Sequence, residues 1–271
     1  MPITARLQSI VGDPRSREYR YDFIIGVLRA QLKTEFAQYF LGWLWWILEP
    51  VTYALSFFFI IYFFFHLPGD RLWTIVISVA AWRWFSRSVD QAPHLAIQFN
   101  PYLRTGGVSL ELLFVGFLIK EFVVFVIAMS VMLVPTAFFS NTITWHLIEV
   151  PLILVAQALI IYPVAVAGMI VGARLHDVGK LVALGISIWW YFSPGLYIRT
   201  DAQGIPSWIL QALNLNPFWA ILTSWQNVLV RGTDADLQGL LVWIVIGSIA
   251  TFAARRVLRR SRRMIVLAAE E

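Results

Sequence analysis

The stretch that decides the fold is AQYFLGWLWWILEPVTYALSFFFIIYFFF, residues 37–65. Between residues 40 and 65 it contains one charged residue, Glu49, and one proline, Pro50. As a helix rising 1.5 Å per residue, this segment would be roughly 39 Å long, which is enough to cross a bilayer with some tilt. It is therefore predicted to be the first membrane-spanning helix.

Aromatic residues follow one face of this predicted helix. Trp43, Trp46, Tyr53, Phe57 and Phe64 recur at steps of three, four or seven residues. Aromatic residues of membrane helices normally collect at the two interfaces, whereas here they continue through the depth of the bilayer. Two interpretations stay open: close packing against other helices, or a path for a ligand that stacks on rings, such as a sugar.

The composition excludes a soluble domain. Of the 271 residues, 59% are hydrophobic and 14% are charged, against about 25% charged residues in soluble domains. Residues 1–20 are polar and basic, so no cleaved signal peptide is expected. The chain has no cysteine, which rules out a disulfide or a thiolate nucleophile. We predict an all-α polytopic membrane protein.

The hydropathy pattern predicts a single transmembrane domain, 1–271, between cytoplasmic tails at 1–20 and 255–271. An amphipathic segment at 21–38 is expected to lie in the membrane interface, a plain cytoplasmic helix being the alternative. Six transmembrane helices are predicted, at residues 40–66, 72–97, 108–139, 147–173, 181–198 and 237–254.

Two polar segments interrupt the spans on the predicted inner side, at 98–107 and 174–180. In the first, Asn100-Pro101 and Gly106-Gly107 bracket what is predicted to be a brief helix.

The long segment 199–236 is predicted to hold two short helices. Pro206 would open the first, and Asn216 would cap the second, with Pro217 at its first position and Gly232 just past its end. Because both are too short and too polar to cross the membrane, we interpret them as a re-entrant or surface-lying pair on the outer side.

Lysine and arginine are unevenly distributed between the two predicted sides. Six lie before residue 42, six after residue 254, one in 98–109 and two in 174–180, all in predicted inner segments. The predicted outer segments hold Arg71, Arg199 and Arg231. Because cytoplasmic segments carry the excess of positive charge, both termini are expected in the cytoplasm. The net charge of +5 is thus attributed to topology, and no nucleic-acid partner is expected.

Charged residues inside the second predicted span form a separate candidate site. Arg83, Arg87 and Asp90 lie at steps of four and three, hence on one helical face. Charges within a membrane usually face the protein interior or water. Either they form an internal ion-pair network, or the arginines bind the phosphate of a lipid head group. The candidate partners are Glu49, Lys120 and Glu121.

The sequence carries no motif of a metal site or of a hydrolytic enzyme. The four histidines lie at 66, 94, 146 and 176, and only His176 shares a predicted helix turn with a second type of metal ligand, Asp177. Because these two residues are adjacent, they cannot both face one ion from a helix. No metal is therefore expected. GxxxxGK[ST], GxSxG and HExxH are absent, so no P-loop ATPase, serine hydrolase or zinc protease is predicted.

Three motifs in order carry a resemblance to a known family. They are YFLGWLWWILEP at 39–50, SPGLY at 193–197 and NLNPFWAILTSWQNVLVRG at 214–232. Over nearly the whole length the chain resembles the permease subunits of ABC-2 type polysaccharide exporters, which export capsular polysaccharide, O-antigen or teichoic acid.

The resemblance implies a type V exporter-like fold in the cell inner membrane and a homodimeric channel. It implies a separate ABC ATPase subunit that binds ATP and Mg, with no enzyme activity and no cofactor in this chain. The substrate would be a lipid-linked polysaccharide, and membrane lipid would surround the spans.

The resemblance also implies roles for particular residues. Coupling to the ATPase would involve Asn100, Pro101, Tyr102, Leu103, Arg104, His176 and Asp177. The polymer channel would be lined by Trp46, Tyr53, Trp189, Trp190 and Tyr197. Arg83 and Arg87 would meet the lipid phosphate where the substrate enters, and the outer gate would contain Pro206, Trp208, Pro217 and Trp225.

Two other functions compete with polysaccharide export. An ABC-2 permease for a drug or another small hydrophobic molecule would share the architecture, and apolar drugs also favour aromatic pockets. A membrane enzyme acting on polyprenyl-linked sugars would need clustered acid and base residues at one interface, which the sequence lacks.

Overall fold

The computed structural model describes residues 25–26, 29, 33, 40–60, 63, 69–104, 109–139, 144–175, 177–195, 206–261 and 265. These residues are helical or in turns, and no strand occurs among them. In chain order the longer helices are α1 (Trp45–Ile60), α2 (Gly69–Gln91), α3 (Leu95–Arg104), α4 (Leu110–Phe139), α5 (Val150–Gly172), α6 (Val178–Tyr191), α7 (Ser207–Asn214), α8 (Pro217–Gln226) and α9 (Leu237–Arg260).

Three helical segments of the described part are long and apolar enough to cross a membrane: Leu110–Phe138, Trp145–Gly172 and Leu237–Arg260. The chain is therefore an all-α integral membrane protein, as its composition predicts. The last of these segments buries little of itself against the rest of the chain and leaves large apolar side chains exposed, among them Val245, Ile249 and Phe252. The predicted total of six spans is not tested by these three.

The predicted second span ends earlier than expected. α2 stops at Gln91, and the 3₁₀ turn Ala92–His94 separates it from α3, so the span does not run to residue 97. Pro93 lies at the start of that turn, where its missing N–H and fixed φ are tolerated. Asn100-Pro101, predicted to break the chain, instead lies within α3.

The predicted fifth span is also shorter. α6 ends at Tyr191, and turns occupy residues 192–195, where Pro194 cannot donate a helical hydrogen bond. The predicted interface helix at 21–38 and the residues 196–205 lie almost entirely outside the described part of the chain.

Two buried clusters form the core. The larger one joins α2, α4, α5 and α8, with fully buried side chains such as Phe85, Ile153, Phe218 and Trp225. The smaller one surrounds α3 and holds Phe99, Leu103, Phe114, Met169 and Leu258.

The two clusters mark the two ends of the helical bundle. One end gathers α3, Ala173 just after α5 and the C-terminal part of α9, since Leu258 and Ile265 are buried in the smaller cluster and Ala173 packs against it. The opposite end gathers the 3₁₀ turn Trp145–Glu149 and the segment before α9, since the backbone N–H of Ala235 donates to Glu149 Oε2 at 2.7 Å. Segments predicted to lie on the same side of the membrane are thus neighbours.

Of the pair α7 and α8, only α7 lies at the surface. Every residue of α8 is buried, including the polar Thr223, Ser224 and Gln226. The predicted cap is confirmed, because Asn216 Oδ1 accepts from the N–H of Phe218 at 3.0 Å. The predicted stop is confirmed too: a π turn, Asn227–Arg231, ends at Gly232, whose φ of 62° lies in the left-handed region that favours glycine.

Candidate functional site

An ion-pair network joins α1, α2 and α4 in the interior of the bundle. Glu49 pairs with Arg83 and, at 3.5 Å, with Nη1 of Arg87. Nε of Arg87 lies 3.1 Å from Oε2 of Glu121, and Nζ of Lys120 lies 2.7 Å from the other oxygen of that carboxylate. Among these five described side chains, two acids are thus shared among three bases.

Burial makes this network costly to disturb. Glu121 is 1% exposed and Lys120 is 7% exposed, so neither charge can be hydrated if its partner is lost. The guanidinium of Arg83 lies 4.7 Å from the ring centre of Tyr53, a cation–π contact. The geometry therefore favours the interpretation of an internal network, and Arg83 and Arg87 are part of it. Asp90, on the same helix, is exposed.

A groove opens beside the network. Its walls combine the apolar surfaces of Trp46, Pro50, Trp84 and Phe125 with the charged heads of the network. Trp84 and Phe125 stack with ring centres 4.8 Å apart and an interplanar angle of 18°. Aromatic rings and the guanidinium groups of Arg83 and Arg87 therefore meet at the same wall, together with the carboxylates of Glu49 and Glu121.

The aromatic residues predicted to line a channel fall into different environments. Trp46 is buried, whereas Tyr53 is exposed on α1. Trp189 and Trp190 are half-buried and pack on Trp82, with ring centres 6.3 and 5.3 Å away. Tyr197 lies outside the described residues. For the two tryptophans of α6, the contacts within this chain are those of packing.

Asn216 is a hydrogen-bond hub between α6 and α8. Its Oδ1 accepts from the indole N–H of Trp189 at 3.0 Å as well as from Phe218. Its Nδ2 donates to the carbonyl of Phe192 at 3.0 Å and to Oγ of Ser193 at 2.9 Å. The sequence indicated the cap but not the contact with Trp189, which spans 27 positions.

We expect Asn216→Ala to destabilise the protein by about 2 kcal/mol, because the cap is lost and the indole N–H of the half-buried Trp189 loses its acceptor. The midpoint of thermal unfolding of the purified chain measures this. Asn214→Ala removes an exposed asparagine two positions earlier and should leave the midpoint unchanged. Equal effects of the two substitutions would contradict the assigned role.

Buried amides fix the C-terminal end of α8. Gln157 Nε2 donates to the carbonyl of Ala81 at 2.7 Å, and its Oε1 accepts from the indole N–H of Trp225 at 2.9 Å. Gln226 Nε2 donates to Ser78 Oγ at 2.9 Å. Sequence reasoning missed Gln157, although an isolated glutamine in an apolar span is a recognisable signal.

The residues predicted for an outer gate lie in two different environments, buried and exposed. Trp225 and Pro217 are buried among α2, α5 and α9, while Pro206 and Trp208 are exposed. Trp208, on α7, is 69% exposed. The part of the pair that presents an aromatic ring outward is therefore α7.

The predicted coupling residues also face different ways. On α3, Leu103 is 4% exposed within the smaller core cluster, whereas Tyr102 is 45% exposed. Asn100 is half-buried, and Asp177 is exposed just before α6. For Pro101 and Arg104 only the helical backbone is described, and His176 lies outside the described residues.

Three potential metal ligands meet at the opposite end of the bundle. His146 and Glu149 share the 3₁₀ turn before α5, and Asp234 approaches them from the segment before α9. The expectation that no histidine other than His176 shares a turn with a second ligand type was wrong. The spacing of three between His146 and Glu149 was the signal, and the contribution of Asp234 depends on tertiary structure.

Comparison with known proteins supports the resemblance carried by the motifs. The chain is 22% identical over 247 residues to the O-antigen export system permease protein RfbA of Myxococcus xanthus, covering 90% of this chain and 94% of that protein. It is 22% identical over 218 residues to the RfbA permease of Klebsiella pneumoniae, covering 79% and 83%. No family model matches the chain.

These similarities extend over most of both chains. The resemblance predicted from the motifs is confirmed: the chain is similar to permeases of ABC-2 type polysaccharide exporters. Among these, the matching proteins are named as permeases for O-antigen export.

Proposed function

We propose that this chain is the permease subunit of an ATP-driven exporter that moves a lipid-linked cell-surface polysaccharide of the O-antigen type across the cytoplasmic membrane. The observation that carries the proposal is the similarity to O-antigen export permeases over nearly the full length. An all-helical bundle with long apolar helices supports it. Capsular polysaccharide and teichoic acid remain the other substrates of the class.

The channel would form between two copies of this chain. Several large apolar side chains on α1 and α6 are exposed in the described part of the chain, among them Leu55, Leu184, Ile188 and Tyr191. We infer that Tyr53, exposed on α1, and Tyr197 contribute rings to the polymer path, while Trp46, Trp189 and Trp190 support its wall. Each sugar–ring contact would contribute on the order of 1 kcal/mol, weak enough for a polymer to slide.

The guanidinium groups of Arg83 and Arg87, which line the adjacent groove, would meet the phosphate of the lipid carrier there. Because Glu49 and Glu121 hold both guanidinium groups in place, the arginines would act on the phosphate without leaving the network. The exposed α7, with Pro206 and Trp208, would form the outer gate above the path.

The ATP and Mg would bind to a separate ABC ATPase subunit, and α3 would be the helix that contacts it. Tyr102 is the exposed residue of the predicted coupling set on that helix. Leu103, being buried in the core of its own chain, would hold α3 in position. The segment 174–180 would lie near α3, since a Cβ placed on Gly179 of α6 would meet His94, in the 3₁₀ turn before α3, within 3.0 Å.

Deletion and complementation test this function. A strain without the chain should lose the surface polysaccharide and accumulate lipid-linked polymer inside, and the wild-type gene should reverse both. Tyr102→Ala should reduce export and the ATPase rate of the complex several-fold, because an aromatic anchor is removed from the interface. Ile97→Ala, which truncates another exposed residue of α3, is the matched control.

Normal surface polysaccharide in the deletion strain would overturn the proposed function. Restored export with Tyr102→Ala at a normal ATPase rate would overturn only the coupling role of α3.

A further inference from the structure

Side chains from two distant segments converge at the end of the bundle that holds the turn Trp145–Glu149. Nδ1 of His146 lies 3.0 Å from Oδ1 of Asp234 and 3.7 Å from Oε1 of Glu149. The three atoms lie within 4.8 Å of one another. We propose that His146, Glu149 and Asp234 form a binding site for a divalent zinc ion.

The spacing of these atoms fits tetrahedral coordination. Zinc binds imidazole nitrogen and carboxylate oxygen at about 2.0–2.2 Å, which places neighbouring ligand atoms roughly 3.4 Å apart. The two distances from Nδ1 fall on either side of that value. The nitrogen ligand favours zinc over calcium and magnesium, which prefer oxygen ligands only. Three protein ligands leave the fourth position for water.

The imidazole nitrogen provides an independent indication. Nδ1 of His146 is shielded from solvent and has no hydrogen-bond partner, although two carboxylate oxygens lie near it. The whole side chain is 12% exposed. A buried polar atom without a hydrogen bond is unfavourable. A cation between the nitrogen and the carboxylates would satisfy all three ligands at once.

Neighbouring groups orient the ligands. The second oxygen of Glu149 accepts from the N–H of Ala235 at 2.7 Å, which fixes the carboxylate. The Nδ2 of Asn227 donates to the backbone carbonyl of Asp234 at 3.0 Å. The ring of Trp145 lies 4.0 Å from the imidazole, centre to centre. Such outer contacts are typical of metal ligands.

Bound zinc would join the turn before α5 to the segment before α9, which lie far apart in the sequence. It would stabilise the folded chain because the unfolded chain does not hold the three ligands together. This inference does not depend on the proposed export function.

The test uses the full chain in detergent, with no histidine tag. The protein is stripped with a chelator, loaded with zinc sulfate and desalted, and its zinc is measured by mass spectrometry. We expect one zinc per chain, and a rise of about 5 °C in the midpoint of thermal unfolding at saturation. Cobalt loading should give the visible absorption bands of a tetrahedral ion.

His146→Ala and Asp234→Asn should lose the zinc, the thermal shift and the cobalt bands. His94→Ala removes an exposed histidine at the other end of the bundle and should keep all three. Wild-type protein that retains no zinc and shows no cobalt bands would overturn the site. Zinc retained equally by His146→Ala would overturn it as well. The cobalt spectrum of the wild type tests whether the site exists even if a variant fails to fold.

Discussion

Glu121→Gln is expected to destabilise the protein by about 3 kcal/mol or more, the largest effect among the substitutions considered. The carboxylate is 1% exposed and pairs with both Arg87 and Lys120. Removing its charge takes a buried acid from two cations of the interior, which costs far more than the ion pairs contribute. The measurement is the midpoint of thermal unfolding in detergent, together with the steady-state level in membranes.

Two further variants check the cause. Asp90→Asn removes an acid that is exposed on the same face of α2 and should leave the midpoint within about 0.5 kcal/mol of wild type. Adding Lys120→Gln to Glu121→Gln removes one of the two cations that paired with Glu121 and should restore part of the stability. If Glu121→Gln unfolds at the wild-type temperature but stops export, the network serves the substrate and not the fold.

Gly172→Ala should be the next most damaging substitution, with a loss of about 3 kcal/mol and a marked fall in export. A Cβ at Gly172 would lie 2.6 Å from the backbone carbonyl oxygen of Pro93, so backbone must shift. The 3₁₀ turn that would be displaced leads directly into α3. Thermal unfolding and the level of surface polysaccharide measure the two effects.

Gly168→Ala is the matched control, one helical turn earlier on α5 and facing the same turn. Its Cβ would lie 3.4 Å from Ala92 Cβ, an ordinary contact, and alanine favours the helix by roughly 0.5–1 kcal/mol over glycine. We expect unchanged or slightly higher stability and normal export. Similar losses in both alanine variants would show that the close approach at Pro93 is not the cause.

The parts of the fold that depend on local chemistry could be predicted from the sequence. Asn216, Pro217 and Gly232 fix the two ends of the same helical segment, because cap, first-turn proline and left-handed glycine each act within a few residues. The helical character of the apolar stretches follows from the need to satisfy backbone hydrogen bonds in lipid.

The positions at which helices break within apolar stretches could not be predicted from the neighbouring residues alone. Pro93 and Pro101 lie in similar sequence, yet the chain turns at the first and remains helical at the second. The turn at Pro93 depends on a tertiary contact: Gly172 of α5 packs against Pro93, and a side chain at position 172 would collide with it. The same holds for Leu103, whose burial depends on α9 returning to the smaller cluster.

The candidate site was predictable in its residue types but not in its geometry. Arginines at 83 and 87 in one predicted span, with acids in other spans, indicated ion pairing. The observed pairs use Glu49 and Glu121. The role of Trp189 was harder to foresee, because a ring pattern does not distinguish a channel wall from a packed core. Its indole N–H is directed to Asn216 by a contact between separate helices.

The complete burial of α8 has a consequence for how the protein is made. The helix contacts α2, α5 and α9, and Gln226 bonds to Ser78, which precedes it by 148 positions. It therefore cannot reach its place until the last span has left the ribosome. Before that, an apolar decapeptide with two tryptophans would be exposed at the membrane surface during biosynthesis. Assembly of this protein should accordingly finish with a late post-translational docking step, and truncation before α9 should yield a degraded chain.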